Sequence, residues 1–285
     1  MALSPGQKLA IINADDFGFS PLVSRGIIRA HCEGILSSTT LAANMPSAGA
    51  AAEMLCDAPK LGVGVHLNCT QGPALSKRGQ EMLATASGVM NYTAAGIIKA
   101  CLCRPRLIDA IEAEFDAQVR WVLDHGIVPT HLDSHRHSHA FPPIFRRVLK
   151  LARRYDIRFV RCCRENLPGG GWPASSAKQR RVRRMLNVMT GLDGLIGGQA
   201  AWATRGTWGI EHTGLIDAAW LTRAASAIAP GVTEIMTHPG IDGDLDASMT
   251  RLRHSREQEL AALCDADVAR AMKDHGVTLV NYGQL

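Results

Sequence analysis

The 285-residue sequence predicts an α/β protein in which parallel strands alternate with outer helices. Two observations along the chain support this fold class. Short apolar runs alternate with longer amphipathic ones, which is typical of successive βα units. Residue types that bind metals cluster where predicted strands end, as they do in α/β enzymes. The length is also common for one α/β barrel, so we expect a single domain over residues 1–285.

The first half of the chain contains most of the predicted strands. Residues 9–13 form an apolar run that predicts a buried strand, and the sequence ADDFG after it predicts a turn. Ser20 and Pro21 have the character of an N-cap and a first helical residue, and Gly34 suits the end of that helix. Further strands are predicted at residues 38–43 and 62–68, a helix at 106–125, and a His-rich strand from about residue 130.

The second half continues the alternation. It predicts a helix at residues 142–155, a strand at 157–162, a Gly- and Pro-rich loop at 168–176, a basic helix at 177–189, a helix at 215–228 and a strand at 233–237. Ser255 and Gln258 have the spacing of a capping box before a final helix. The sequence VTLVNY, residues 277–282, predicts a closing strand.

Composition and charge exclude several classes of protein. With 46% hydrophobic and 20% charged residues, the chain has the composition of a soluble globular protein. No apolar run is long enough for a signal peptide or a membrane span, so we expect a cytoplasmic location. The net charge of +5 is compatible with anionic substrates or a membrane surface. Aromatic residues make up only 5% of the chain and none interleaves with the basic run, which argues against nucleic-acid binding.

The basic run KQRRVRRM, residues 178–185, has two interpretations. It is a solvated helix face, or it binds an anionic or lipid-linked substrate in peripheral contact with a membrane. The sequence also permits a homodimer.

The segment HLDSHRHSH, residues 131–139, has a His or Asp at every second position. In an extended strand these five side chains would lie on one face. Imidazole is the commonest metal ligand in proteins and carboxylate is a frequent companion, so the pattern predicts a divalent metal site. A surface His tract that binds metal incidentally is the alternative.

Three other polar positions also follow or end predicted strands. Asp15 and Asp16 follow the first strand, His66 lies late in the third, and His238 follows a late strand. Adjacent side chains point apart, so one Asp can bind metal while the other takes a proton. Taken singly, the Asp pair fits a surface turn, His66 a core residue, and His238 a loop residue. Their shared placement at strand ends favours one site.

The motifs ADDFG, GVHLN, THLDSHRHSH and THPG resemble, in order and spacing, those of the YdjC-like carbohydrate deacetylases. The resemblance covers most of the chain. It implies an irregular (β/α) barrel of the polysaccharide-deacetylase type and metal-dependent removal of an acetyl group from an N-acetylated sugar. One branch of the family has three consecutive His where this chain has His135-Arg136-His137, which leaves the acceptor sugar open.

The resemblance also implies roles for particular residues. Asp16, His66 and His135 would bind one divalent ion, Asp15 would act as the catalytic base, and His238 would act as the acid. The ion is Mg²⁺ or Zn²⁺: imidazole ligands favour zinc, whereas family members are often assigned magnesium. Two alternatives remain open, a metal-dependent phosphoesterase and a metal- or sugar-binding protein without turnover.

Overall fold

The computed structural model describes residues 6–245 and 250–285. The expectation that the N-terminal segment is not a signal peptide concerns a stretch that begins with residues 1–5. These five residues lie outside the described ranges. The strands are β1 (Lys8–Phe17), β2 (Ser38–Leu41), β3 (Gly62–Leu67), β4 (Gln71–Pro73), β5 (Val89–Asn91), β6 (His131–Ser134), β7 (Phe159–Val160), β8 (Thr207–Trp208), β9 (Gly231–Thr237) and β10 (Val277–Leu279).

Helices cover the outside of the strands. They are α1 (Pro21–Glu33), α2 (Ala48–Met54), α3 (Lys77–Met82), α4 (Ala94–Cys103), α5 (Leu107–Asp124), α6 (Pro142–Arg154), α7 (Ala177–Leu195), α8 (Ala218–Ala227), α9 (His254–Leu263) and α10 (Ala266–Asp274). Short 3₁₀ turns occupy Leu55–Asp57, His135–Ala140, Gly198–Ala201 and Tyr282–Gln284. No helix among the described residues is both long and apolar enough to cross a membrane.

The main sheet is parallel throughout and curls into an irregular barrel. Its order is β7-β6-β3-β2-β1-β9-β8, with β10 beside the start of β1, while β4 and β5 form a separate antiparallel pair. A backbone hydrogen bond from Thr207 N–H to Arg164 O (2.8 Å) joins the chain beyond β7 to β8, the opposite edge of the sheet. The predicted fold class, an irregular (β/α) barrel with outer helices, is confirmed.

The two faces of β1 show how the barrel is filled. Ala10, Ile12 and Ala14 face the large apolar core between sheet and helices, whereas Leu9 and Ile11 belong to a small cluster with Phe159, Val232 and Tyr282. By strand alternation, Asn13 and Asp15 continue the face of Leu9 and Ile11 toward the carboxyl end of β1. The barrel interior is therefore apolar at one end and polar at the other.

Two local predictions were wrong. The sequence ADDFG is no simple turn, because β1 continues to Phe17 with a register shift against β2 between Ala14 and Phe17. The capping box predicted at Ser255 does not form: α9 begins at His254 without a side-chain cap. Such a box forms instead before the basic helix, where Ser176 and Gln179 bond each other's backbone.

The His-rich strand is shorter than predicted. β6 ends at Ser134, and residues His135–Ala140 form a 3₁₀ turn in which Arg136 and His137 have φ of 57° and 54°. The Ser134 hydroxyl accepts the backbone N–H of His139 (2.9 Å), which stabilises the turn before Pro142 begins α6. The alternating side chains therefore do not share one face.

Candidate active site

The bulge in β1 separates the two adjacent carboxylates. Asp16 has φ of 70°, a left-handed conformation that Asp tolerates better than most residues. The Asp15 carboxylate points to Arg161, and the Asp16 carboxylate points to His66 and His135. The predicted divergence of the two side chains is therefore confirmed.

Strand register places His66 beside Asp133. The two residues are direct partners in the parallel β3–β6 ladder, and His66 Nδ1 lies 2.8 Å from Asp133 Oδ1. The Thr40 hydroxyl donates to Asp133 Oδ2 (3.1 Å). Because Nδ1 faces the carboxylate, the other ring nitrogen, Nε2, is left facing Asp16. Burial alone would lower the pKa of His66, but Asp133, followed by Asp16 and Asp15, raises this pKa to about 10.

Of the other residues in the His-rich segment, only His135 joins Asp16 and His66. His131 is buried against the Tyr282 ring, with centroids 3.9 Å apart. His139 is held by the Ser134 hydroxyl (2.6 Å) and by the Arg161 carbonyl (3.2 Å). His137 lines the neighbouring cleft.

Asp16 Oδ1, His66 Nε2 and His135 Nδ1 form a nearly equilateral triangle. The distances are 3.4 Å from Asp16 to His66, 3.3 Å from Asp16 to His135 and 3.4 Å between the two rings. Four-coordinate ions with ligands at about 2.1 Å have ligand–ligand distances of about 3.4 Å. Asp16 Oδ1 is buried and makes no hydrogen bond within the described residues. The donor set therefore fits one divalent ion.

Arg161 is the first of two buried arginines at the site that no sequence motif predicts. It is fully buried and lies just beyond β7, where its guanidinium contacts three carboxylates: Asp15 through two bonds (2.7 and 2.8 Å), Asp133 (2.6 Å) and Glu234 (2.9 Å). Burial raises the pKa of Asp15, but Arg161 outweighs it, so this pKa is lowered. Asp15 is consequently ionised near neutral pH.

Arg256 has the same relation to Asp16. Its guanidinium lies 2.5 Å from Asp16 Oδ2, on the carboxylate oxygen that does not belong to the triangle. Burial would raise the pKa of Asp16, but Arg256, His135 and His66 hold it well below its usual value. Neither Arg161 nor Arg256 belongs to one of the sequence motifs, so only the fold reveals these two partners.

His238 follows β9 as predicted and reaches the same cleft. Its backbone N–H donates to the buried Glu259 carboxylate (2.5 Å), and its Nδ1 has no partner within the described residues. Burial lowers the pKa of His238 to about 4, despite the nearby Asp15 and Asp16. The ring is therefore neutral near pH 7 and free to bond a ligand.

These groups open into a cleft of about 490 Å³, which is within the usual range of small-molecule sites. Asp15, Asp16, His66, His135 and His238 lie on its wall. The rest of its lining, here called the rim, includes Lys178 and Val182 from α7, together with Arg136 and Arg251. The cleft thus combines a possible cation site, an ionised carboxylate, a neutral imidazole and a cationic rim.

Comparisons with known proteins identify relatives over nearly the whole chain. A family model described as YdjC-like protein matches residues 9–274. A carbohydrate deacetylase from Geobacillus stearothermophilus is 33% identical over 277 residues, covering 96% of this chain and 97% of that protein. Another from Brevibacillus brevis is 30% identical over 283 residues, covering 96% and 98%.

A crystal structure from Enterococcus faecalis V583 shares the fold. The name given to that protein proposes a role in cellobiose-phosphate cleavage. It superimposes with a TM-score of 0.76 at 25% sequence identity, and the match covers 98% of each chain. The similarity to these relatives therefore extends over nearly the whole chain, and the fold agrees with that of the Enterococcus faecalis structure.

Proposed function

Since this chain belongs to the YdjC-like protein family, we propose that it is a carbohydrate deacetylase, an enzyme that hydrolyses the acetamide bond of an N-acetylated sugar. The observation that carries the proposal is the triangle of Asp16, His66 and His135 at the wall of a cleft, beside the ionised Asp15. Amide hydrolysis needs an activated water, stabilisation of an oxyanion and a proton for the amine. Each requirement has a candidate group in this cleft.

Asp16 Oδ1, His66 Nε2 and His135 Nδ1 would hold the divalent ion. When bound, such an ion polarises a carbonyl group and lowers the pKa of water. Two imidazoles and separations of 3.3 to 3.4 Å favour zinc or a similar transition metal over magnesium, because Mg²⁺ prefers oxygen ligands at right angles, about 3.0 Å apart. Asp133 fixes the His66 ring for this role.

Asp15 acts as the general base in this proposal. The two hydrogen bonds from Arg161 hold its carboxylate in one orientation and keep it ionised, so it can accept a proton from water. His238 is neutral before the reaction, so the proton that Asp15 takes from water must pass to His238 before the imidazolium protonates the departing nitrogen. Its unpartnered Nδ1 leaves a ring nitrogen available for that transfer.

The rim of the cleft would bind the rest of the substrate. Arg136, Lys178 and Arg251 present cationic side chains there, which suits an acceptor that carries an anionic group. An acidic oligosaccharide or a glycan joined to lipid through phosphate would satisfy this requirement. Only the sugar that carries the acetyl group must reach the triangle.

One observation argues against the phosphoesterase alternative. Asp15, His66 and Asp133 form a second cluster of ligand atoms that could serve a two-metal phosphatase. The Arg161 guanidinium already bonds both carboxylates of that cluster, and its positive charge would repel a second metal ion there. A single ion therefore fits this chain better than a pair.

The proposal is tested by mass spectrometry. A panel of N-acetylated saccharides and lipid-linked sugars is incubated with Zn²⁺- or Mg²⁺-loaded protein, and the products are weighed. We expect one acetyl group to be lost from at least one member, and chelation to stop the reaction. Asp15→Asn should lower kcat on the order of 10²–10⁴-fold while metal binding stays within a few-fold of the wild type.

Asp193→Asn is the matched control, because it also replaces a buried aspartate by asparagine but lies outside the cleft. It should retain activity. No acetate from any member of the panel, with metal bound, would contradict the proposal. Phosphate release from an aryl phosphate would favour the phosphoesterase, and full activity of Asp15→Asn would remove the assigned base.

A further inference from the structure

One face of α7 forms an exposed stripe along the surface. Its residues are Arg181, Arg184, Val188, Leu192 and Leu195, all of them exposed. At 100° per residue these positions fall within about 80° of the helix circumference, and the stripe is about 21 Å long at 1.5 Å per residue. The stripe is basic toward the start of the helix and apolar toward its end.

The apolar end is unusually accessible for its residue types. Val188, Leu192 and Leu195 are 66%, 48% and 83% exposed, whereas the opposite face of the helix buries Leu186, Thr190 and Asp193. Single exposed apolar residues are common on protein surfaces. Three in register on one helix face indicate a surface that contacts a partner.

The arginines at the basic end of the stripe are not paired with acidic residues, unlike the basic residues of the neighbouring helix α6. In α6, Arg147, Lys150 and Arg154 pair with acidic residues of α5, namely Asp109, Glu112 and Asp116. In α7, Arg181 and Arg184 make no ion pair or hydrogen bond with any residue in 6–245 or 250–285. Their charges are therefore available to an external anionic surface.

The same helix also forms part of the active-site cleft. Lys178, Gln179 and Val182 line the cleft from the side of α7 that faces it, while the stripe points elsewhere. The stripe and the cleft therefore lie on different sides of one helix.

From these observations we propose that the stripe docks the protein on an anionic lipid bilayer. Three apolar side chains enter the interfacial region, and Arg181 and Arg184 contact the lipid headgroups, as in helices that lie in the membrane plane. The proposal concerns binding and does not depend on the reaction that the cleft catalyses.

A second copy of the chain fits this stripe poorly. Parallel stripes would bring the arginines of both copies together, and antiparallel stripes would bury unpaired guanidinium groups against leucines. Stable dimers also bury about 800 Å² on each partner, from 20–30 residues, which is more than one helix stripe supplies. A bilayer needs no such complementary shape.

Sedimentation with vesicles tests the proposal. The full-length protein should bind phosphatidylcholine vesicles that contain about 30% phosphatidylserine far better than pure phosphatidylcholine vesicles, and 0.5 M NaCl should weaken this binding. Arg181→Glu with Arg184→Glu should weaken it at least about 20-fold, since one cation contributes about 5-fold. Leu192→Ser with Leu195→Ser should weaken it at least tenfold.

Two control variants change equally exposed positions elsewhere. Arg25→Glu reverses an exposed cation on α1, and Val128→Asp replaces a valine that is 82% exposed after α5. Both should sediment like the wild type, and far-UV circular dichroism should be unchanged for every variant. Equal sedimentation with neutral and anionic vesicles, or stripe variants that bind like the wild type, would overturn the proposal. So would a dimer that the leucine variants dissociate, with no vesicle binding.

Discussion

Arg161 shares its guanidinium among Asp15, Asp133 and Glu234 in the interior of the barrel. Removing one partner from such a buried group typically costs about 3–5 kcal/mol, because a charge is left without compensation. The arrangement links Asp15, the proposed base, to the support of His66, a proposed metal ligand, since Asp133 bonds both Arg161 and His66. One guanidinium thus sets the position of two functional groups.

Asp133→Asn tests whether metal affinity depends on the contact between Asp133 and His66 or on the contact between Asp133 and Arg161. The change removes the charge that orients His66 Nδ1, and loss of such a supporting contact weakens metal binding by about 10–100-fold. Isothermal titration of the purified protein with Zn²⁺ measures the affinity. Glu234→Gln is the matched control, because Glu234 also bonds Arg161 but does not contact His66. It should change the affinity by no more than a few-fold. Equal loss in both variants would mean that Arg161, and not the His66 contact, determines metal affinity.

At the scale of elements, the close approach of β3 and β6 brings His66 and Asp133 together. Gly64 lies on β3 where an added Cβ would stand 2.5 Å from the ring of His131, and that ring is held by stacking on Tyr282. A side chain at this position must push the two strands apart. The absence of a Cβ at Gly64 is therefore a condition for the register that builds the site.

Gly64→Ala should lower the free energy of unfolding by about 1–3 kcal/mol, the usual cost of overpacking. Urea denaturation followed by circular dichroism measures it. Gly49→Ala in α2 is the comparison, since a Cβ there meets no atom within 4 Å. It should raise the free energy of unfolding by about 0.4–1 kcal/mol, because alanine reduces the freedom of the unfolded chain. A Gly64→Ala protein as stable as the wild type would show that the strands separate at little cost.

Periodicity and capping residues predicted most elements of the barrel. The helix from Pro21 and the strands near Ser38 and Gly62 were placed within two residues, because their apolar patterns and turn residues are local signals. The helices α2, α3 and α4 were missed: two are short, and alanine and glycine leave their faces weakly marked. The end of β6 was also missed, because a left-handed turn at Arg136 leaves no signal in an alternating polar run.

The candidate site was predictable to a similar degree. Sequence motifs identified Asp15, Asp16, His66, His135 and His238, and the structure brings all five to one cleft, although their roles stay predictions. Arg161 and Arg256 could not be found in this way. Their contacts join strands or helices far apart in the chain, and isolated arginines are ordinarily surface residues.

At the scale of the whole molecule, the free energy of unfolding depends on pH through two kinds of buried group. Buried histidines destabilise the fold at low pH, whereas buried carboxyl groups destabilise it at high pH. Burial lowers the pKa of His131 to about 3 and that of His139 to about 4, so their contribution to stability is lost as pH falls below about 6.5. Burial raises the pKa of Glu165 and Glu259 to about 7 and that of Asp193 to about 8. The stability they confer when protonated is lost as pH rises toward those values. Maximum stability should consequently lie below pH 7.

Among these carboxyl groups, Asp193 has the highest pKa and therefore contributes most to the loss of stability above pH 7. Its unfolded pKa is near 3.8 and its folded pKa is about 8, so the folded state binds a proton that the unfolded state has released. The Tm of the wild type, measured with EDTA to remove metal effects, should fall between pH 6.5 and 8.5. Asp193→Asn, which cannot ionise, should have a higher Tm than the wild type at pH 8 and a flatter curve above pH 7. Glu211→Gln, which neutralises a carboxyl whose pKa is lowered, should leave the slope above pH 7 unchanged. A decline of equal slope in wild type and Asp193→Asn would contradict the assignment and point to another group that titrates near pH 8.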